Sequence, residues 1–397
     1  YSLISYHFRS FHSCVIVLIP FRMSTEDLLV AELRSLVSSH LSPYYDTHFN
    51  LLRWIQAHPG VSVDKIADRL RHHLLYRACS WEIDGIHQKE RGYHPIHRYW
   101  PRSKCGMSGV IPSCLVHVEQ SGQIDFDGIL DNFSIAEVMR ARIFDIEEMF
   151  ADVMQIEKET GDQSSVIYVM DAEGIEYTKK LMDLVLGSLR ALSEFMADHY
   201  VELVKYFVIV NVPSWAYTLW LMIKPLLPER TRLKVRILST SNWRKEIHSL
   251  MDPSVGPSFW NDENHNEFKL QMERPPKVPR VEITEPAEKL EKLYVKAGAV
   301  QWIEYSLEKG DAIAFHVTGN ANFGFTIVRA ENEDEDDAFA MRQIYPLFSW
   351  MPGPLKVPIE DSVIVPESGV YKVWFSNSRA WWSSLSIQHN IKVIKNQ

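Results

Sequence analysis

A proline-rich run over residues 273–288 (ERPPKVPRVEITEPAE) does most to limit what this chain can fold into. Each of its four prolines fixes φ and lacks an N–H, so neither a helix nor a central strand passes through it. The hydrophobic pattern also changes across it. Upstream, short continuous apolar runs alternate with long stretches of helical spacing. Downstream, short runs alternate apolar and polar residues with period two. The run therefore reads as a boundary between two differently built halves.

Upstream, residues 24–41 place Leu28, Leu29, Leu33, Leu36, Val37 and Leu41 at helical spacing, with Ser24 and Thr25 as caps. A second helix is expected from about Thr47 to His58, ended by Pro59-Gly60, and a third from Ser62 to Arg77. Residues 85–112, rich in Gly, Pro and His, read as irregular. Strands are then expected at Cys114–Val118, Val166–Met170, Phe207–Val210 and Val235–Leu238. Helices between them are expected at Ser134–Glu159, Tyr177–Tyr200 and Ser214–Leu227. Continuous apolar strands alternating with helices argue for a mostly parallel α/β sheet. Downstream, runs at Val300–Tyr305, Ala312–Val317, Phe323–Val328, Val370–Phe375 and Leu385–Val393 are separated by turn residues and predict an antiparallel β-sandwich.

The fold class is thus multidomain. An N-terminal helical bundle spans 23–84, an α/β domain 85–272, a proline-rich linker 273–289 and an all-β antiparallel sandwich 290–397. Residues 1–22 precede Met23 and are expected to be an extension outside the fold.

A formal charge of -9 argues against general nucleic-acid binding, which needs a concentrated basic surface. The four cysteines, at 14, 79, 105 and 114, have no zinc-type spacing and fit a reducing compartment. No phosphate-binding loop, dinucleotide fingerprint or metalloprotease motif is present, so no catalytic residue is assigned. His72 and His73 are neighbours on a helix and are expected to face different ways; with His94 and His97 they form no metal-type pattern, and no metal is expected. The acidic run ENEDEDD (331–337) reads as a solvated loop.

The most informative stretch is SWAYTLWLMIKPLL (214–227), where Thr218 is the single polar residue between Trp215 and Ile223. A helix apolar on all sides is either buried on all sides or meets lipid. The apolar stretch 206–227 is broken by Asn211, Pro213 and Ser214, and the helix is too short to span a bilayer. Its tryptophans, tyrosine and Lys224 are residue types that settle at a membrane interface. The sharper expectation is a movable lid over an apolar cavity, touching membrane when open, with Trp215, Tyr217, Leu219, Trp220, Ile223, Lys224 and Leu227 as gate or membrane contacts.

Five stretches resemble the Sec14-like (CRAL-TRIO) lipid-binding family, in the subgroup with a C-terminal GOLD domain. They are LLRWIQA (51–57) with Tyr76-Arg77, VIYVMDAEG (166–174), HYVELVKYFVIVNVP (199–213), AYTLWLMIKPLLPERTRLKVRIL (216–238), and the paired tail segments 310–328 and 369–382. The resemblance implies a non-enzymatic protein without cofactor. It implies one bound hydrophobic lipid (phosphatidylinositol, tocopherol or isoprenoid-like), carried in a gated pocket and transferred at transient membrane contacts. Glu202 and Lys234 stand where phosphatidylinositol-binding members hold the inositol headgroup, although His58-Pro59-Gly60 replaces the basic residues those members carry. In the usual Pro-x-x-Tyr-Gly-Gly loop, Trp260-Asn261-Asp262 stand for the last three residues. A GOLD-like tail implies an unknown protein partner, with Trp381 and Trp382 as candidate contacts, of which only one is expected to face the core. The implied setting is cytoplasmic and peripheral to membranes, Golgi or other secretory membranes included. A membrane-sensing adaptor that transfers nothing is the alternative role.

Overall fold

The computed structural model describes residues 24–227, 229–272, 290–332 and 334–396. The expected extension (1–22) and proline-rich linker (273–289) lie outside the described residues.

Three amphipathic helices open the chain: α1 (Thr25–Val37), α2 (His48–Ala57) and α3 (Val63–Arg77). Ser24 and Asp27 close a reciprocal capping box on α1, and the Thr47 hydroxyl accepts from the Asn50 amide on α2. Their apolar faces do not form a separate core. Val30, Leu51, Trp54 and Leu70 share one cluster with Met149 and Phe150 from the middle of the chain. A short helix α4 (Ile83–Ile86) follows.

The α/β region contains β1 (Arg102–Met107), β2 (Cys114–Glu119), α5 (Phe126–Asn132), α6 (Ile135–Thr160), β3 (Ser165–Asp171), α7 (Lys179–Leu186), α8 (Ser188–His199), β4 (Val204–Val210), α9 (Ser214–Ile223), α10 (Glu229–Lys234), β5 (Val235–Ile237) and α11 (Trp243–Glu246). The sheet order is β1-β2-β3-β4-β5. Only β1 runs antiparallel to its neighbour; β2 to β5 pair in parallel. The helix α6 begins with a Ser134–Glu137 capping box and stops at Gly161, whose φ of 77° suits a residue without Cβ.

Two differences from the sequence reading stand out here. β1 lies in the stretch read as irregular, because its Arg-Ser-Lys-Cys-Gly-Met sequence has no apolar period. The helix expected over 177–200 is two helices, broken at Gly187, the residue type least favourable to a helix interior after proline.

The C-terminal region is two four-stranded antiparallel sheets. One is ordered β10-β9-β12-β7, from β7 (Val300–Leu307), β9 (Phe323–Ala330), β10 (Arg342–Met351) and β12 (Gly369–Ser376). The other is ordered β11-β8-β13-β6, from β6 (Glu291–Val295), β8 (Ala312–Gly319), β11 (Ile359–Ile364) and β13 (Leu385–Ile394). The strands β6, β10 and β11 escaped the sequence reading. β10 contains Pro346, which it tolerates as an edge strand whose register shifts between Tyr345 and Phe348.

The sandwich is not a freely hanging module. Its inner residues and the side chains Tyr76, Trp81, Met139 and Phe195 form one continuous apolar cluster. Trp81 packs edge-on to Tyr345 (ring centroids 5.5 Å apart), Phe195 meets Phe348 at 5.9 Å, and the Ser80 amide donates to the Ile344 carbonyl at 2.8 Å.

Candidate functional site

A cavity of about 330 Å³ lies between the sheet and the helices that cover it. Its floor comes from inward-facing residues of the parallel strands, Tyr168 and Met170 on β3, Phe207 and Ile209 on β4, and Val235 and Ile237 on β5. Alternation along each strand puts these on one face, while Val169 and Val208 point the other way into the core beneath. One wall is α7 and α8, through Leu181, Val185, Leu189, Leu192 and Met196. The opposite wall is α9.

The spacing within α9 explains how an apolar helix can be half wet. Ala216, Leu219, Trp220 and Ile223 recur at i, i+3, i+4 and i+7 and line the cavity. Tyr217, Leu221 and Met222 sit on the reverse face and are exposed, Tyr217 by 58%. Of the expected gate residues, Trp215, Leu219, Trp220, Ile223 and Leu227 line the cavity, whereas Tyr217 and Lys224 face outward. The helix is therefore neither buried on all sides nor shielded by another element.

One part of the cavity wall is polar, and the sequence reading missed it. The Tyr168 hydroxyl donates to Glu119 Oε2 at 2.5 Å and receives Arg142 Nη2 at 2.8 Å. Ser121 Oγ donates to Glu119 Oε1 at 2.7 Å, and Trp100 Nε1 donates to Oε2 at 2.8 Å. Behind this layer, Asp145 binds Arg142 (3.0 Å), Arg91 (2.8 Å) and Arg102 (3.3 Å). Burial alone would raise the Asp145 carboxyl, but the three guanidinium groups hold it well below the usual carboxylate range. Burial pushes the Tyr168 phenol upward, so it stays a neutral donor. Arg142 Nε is buried and has no hydrogen-bond partner among the described residues. A signal was available: Arg142, Asp145 and Glu147 fall among the apolar positions of α6, where charge is costly unless paired.

The two expected headgroup residues meet each other. Lys234 Nζ donates to Glu202 Oε2 at 3.1 Å, and both are partly buried. Glu202 itself takes a positive φ of 51°. It lies beside a groove walled by Trp54, Arg69 and Arg230, on the N-terminal helical side. Neither residue lines the apolar cavity. Trp260 is buried, and its Nε1 donates to Asp171 Oδ2 at 3.0 Å, which ties the loop after α11 to the end of β3.

One expectation on side-chain direction needs correction. Trp381 and Trp382 both face water, each 89% exposed, because their segment is a turn and not an extended strand. Trp374, on β12, is by contrast buried. His72 and His73 both reach one residue: His73 Nδ1 is 3.2 Å from His199 Nδ1, and the His72 ring lies 5.2 Å from that of His199. Successive helix positions differ by about 100°, and His199 sits between them. Among the described residues, no three His, Cys, Asp or Glu side chains are grouped to hold a metal.

Residues 113–261 match the CRAL/TRIO domain family. Residues 276–397 match a domain described as F28H7_8_C:-like, C-terminal domain, and residues 23–86 a domain of unknown function (DUF8435). The CRAL-TRIO domain-containing protein F28H7.8 of Caenorhabditis elegans is 27% identical over 238 residues, which cover 58% of this chain and 56% of that protein. Protein ctg-1 of the same organism is 22% identical over 93% of this chain and 97% of its own length. The phosphatidylinositol/phosphatidylcholine transfer protein SFH11 of Arabidopsis thaliana is 22% identical over 56% of this chain and 59% of its own. Among solved structures, Sfh5 superposes with a TM-score of 0.48 at 15% identity, over 65% of this chain and 95% of that one. The stretch that matches the CRAL/TRIO family, residues 113–261, is the one whose parallel strands floor the cavity.

Proposed function

We propose that this protein binds one hydrophobic lipid in the cavity under α9 and transfers or presents it between membranes, with α9 as the gate. The observation that carries this reading is the build of the cavity, which is apolar almost throughout and polar at one wall. Carrying a lipid chain through water costs about 0.8 kcal/mol per CH₂, so a closed apolar cavity removes most of the transfer barrier and needs no covalent chemistry. The name of the SFH11 relative and the CRAL/TRIO match support the same class.

The polar wall bears on the ligand. Glu119, Asp145 and Glu148 are offset by Arg91, Arg102 and Arg142, so the wall holds no net charge to attract a charged headgroup. It presents the Tyr168 and Ser121 oxygens, whose protons already go to Glu119, as acceptors for a ligand hydroxyl. This favours a lipid with a small neutral oxygen function, of the tocopherol or isoprenoid-alcohol class. A second reading is phosphatidylinositol, with Glu202 and Lys234 holding the headgroup; the partly buried pairing of these residues beside a groove supports it, and the ligand would have to open that pair. On either reading the sandwich is GOLD-like and offers Trp381 and Trp382 as a contact. The proposed setting is cytoplasmic and peripheral to membranes; among the described residues no helix is long and apolar enough to cross a membrane.

Native mass spectrometry of the full chain purified from eukaryotic cells, with lipid identification after extraction, tests the proposal. A stoichiometric neutral lipid supports the carrier with the polar wall as reader, and phosphatidylinositol shifts the headgroup role to Glu202 and Lys234. A chain that holds no lipid, and acquires none from mixed vesicles, sinks the carrier and leaves the membrane-sensing adaptor.

A further inference from the structure

Trp381 and Trp382 pose a physical problem that the cavity does not answer. Two adjacent tryptophans, each 89% exposed, are an unusual thing to hold in water. Their turn is not frayed. Asn377 Nδ2 donates to the Val295 carbonyl (3.1 Å) and the Ser383 carbonyl (2.9 Å), and the Ala380 amide donates to Asn377 O at 3.1 Å. The exposure is therefore built in.

The place of this turn in the fold says what it meets. The tryptophan pair shares a groove with Trp350. Trp350 also walls a second groove, with Leu355 and with Leu186-Gly187 at the α7–α8 break. The other end of α7 begins just after Tyr177, whose ring packs edge-on to Trp215 of α9 at 5.3 Å. An eight-residue helix is about 12 Å long, so α7 runs about that far from the Tyr177 contact with the gate to the groove it shares with Trp350. Along that row Tyr177, Leu186 and Tyr217 are all exposed apolar side chains. Two of the acids nearby are paired: Glu194 with Arg379 (2.6 Å) and Arg190 (3.1 Å), and Asp131 with Lys356 (2.6 Å).

From this row we infer that Trp381 and Trp382 form a second membrane foot, which seats the sandwich in the headgroup region of a phospholipid bilayer beside the gate. Tryptophan favours that interface, and paired charges at the edge add no repulsion toward it. The inference rests on the carrier reading for the gate's own membrane contact. With two feet, the protein stays on the surface while α9 moves, and lipid passes without first entering bulk water.

The test is flotation of the full chain with phosphatidylcholine vesicles, comparing wild type with the double variant Trp381→Ala, Trp382→Ala. Both side chains are outside the core, so the variant should fold; circular dichroism checks this. Membrane partition should fall by at least about tenfold and persist for wild type at high salt, as apolar insertion requires. Loading of a fluorescent lipid from detergent micelles should not change. Equal flotation of variant and wild type overturns the foot, as does a variant that floats normally but loses a protein partner. Wild type that holds lipid yet never floats also overturns the foot and leaves the carrier intact. Tryptophan-dependent flotation of a chain that holds no lipid does the reverse.

Discussion

The two helical walls of the cavity both face it with apolar side chains and are opposite in backing. The α8 wall is pressed from behind. Phe195 meets Phe348 of the sandwich, Glu194 is held by Arg379, and His199 packs against Tyr76 of α3 with ring centroids 4.5 Å apart. Just beyond α8, the Tyr200 hydroxyl donates to Glu147 at 2.8 Å, and Glu147 takes Arg77 in a two-pronged pair at 2.7 and 3.0 Å. The α9 wall has water behind Tyr217, Leu221 and Met222. Freedom to open comes from what lies behind a helix and not from how apolar it is. Local stability is low where buried contacts are few.

This contrast predicts that damage behind α8 costs stability, while damage on α9 costs exchange. Glu147→Ala should have the largest effect on folding. It leaves the buried Arg77 guanidinium with Asp84 alone (2.5 Å), and should destabilise the protein by about 3–5 kcal/mol in denaturant titration. Phe195→Ala should follow at about 3 kcal/mol, from lost burial and a cavity at the sandwich joint. A loss below 1 kcal/mol for Phe195→Ala would mean that the sandwich does not brace this wall.

Acid should act on the same side. Burial chiefly, with Arg77 and neighbouring histidines adding to it, pushes His73 and His199 well below the ordinary 6.5, and burial lowers His72. The facing charges are Arg77, which opposes protonation, and Asp337 near His72, which favours it slightly. These groups bind fewer protons folded than unfolded, so their contribution is full above pH 6.5 and declines as pH falls below it. Urea midpoints between pH 7 and 5 should fall, and His199→Asn should flatten that slope; an unchanged slope would exclude the cluster as its source.

The smallest effect on stability, and the largest on transfer, belongs to Trp220→Asp. Trp220 faces the cavity from the unbacked helix, so unfolding should shift by no more than about 1 kcal/mol while exchange of lipid between vesicles is lost. Unchanged exchange would remove α9 from the gate role.

How much of this was legible in the chain differs by element. The cap at Ser24 and the helix starts near Thr47, Ser62 and Ser134 could be read directly, because a helix start depends on a few neighbouring residues. The apolar strands β2 to β5 and five period-two strands of the sandwich were equally plain. The edge strands β10 and β11 were not, since Pro346 and Asp361 suit an edge and mimic a loop. The polar wall was half visible: charges at apolar positions of α6 marked it, but nothing local showed that Glu119, Arg142 and Tyr168 converge.

The sequence by itself determined the long helices and the apolar central strands, where the chain changes texture, and that Trp215–Ile223 could not be an ordinary amphipathic surface helix. These depend on periods and caps, which act over a few residues. Only the tertiary structure decided that α9 opens one face to a cavity and the other to water. It alone decided that Glu202 and Lys234 pair, and that both Trp381 and Trp382 stay outside. Such outcomes depend on which distant residues arrive opposite a side chain, and no local pattern encodes that.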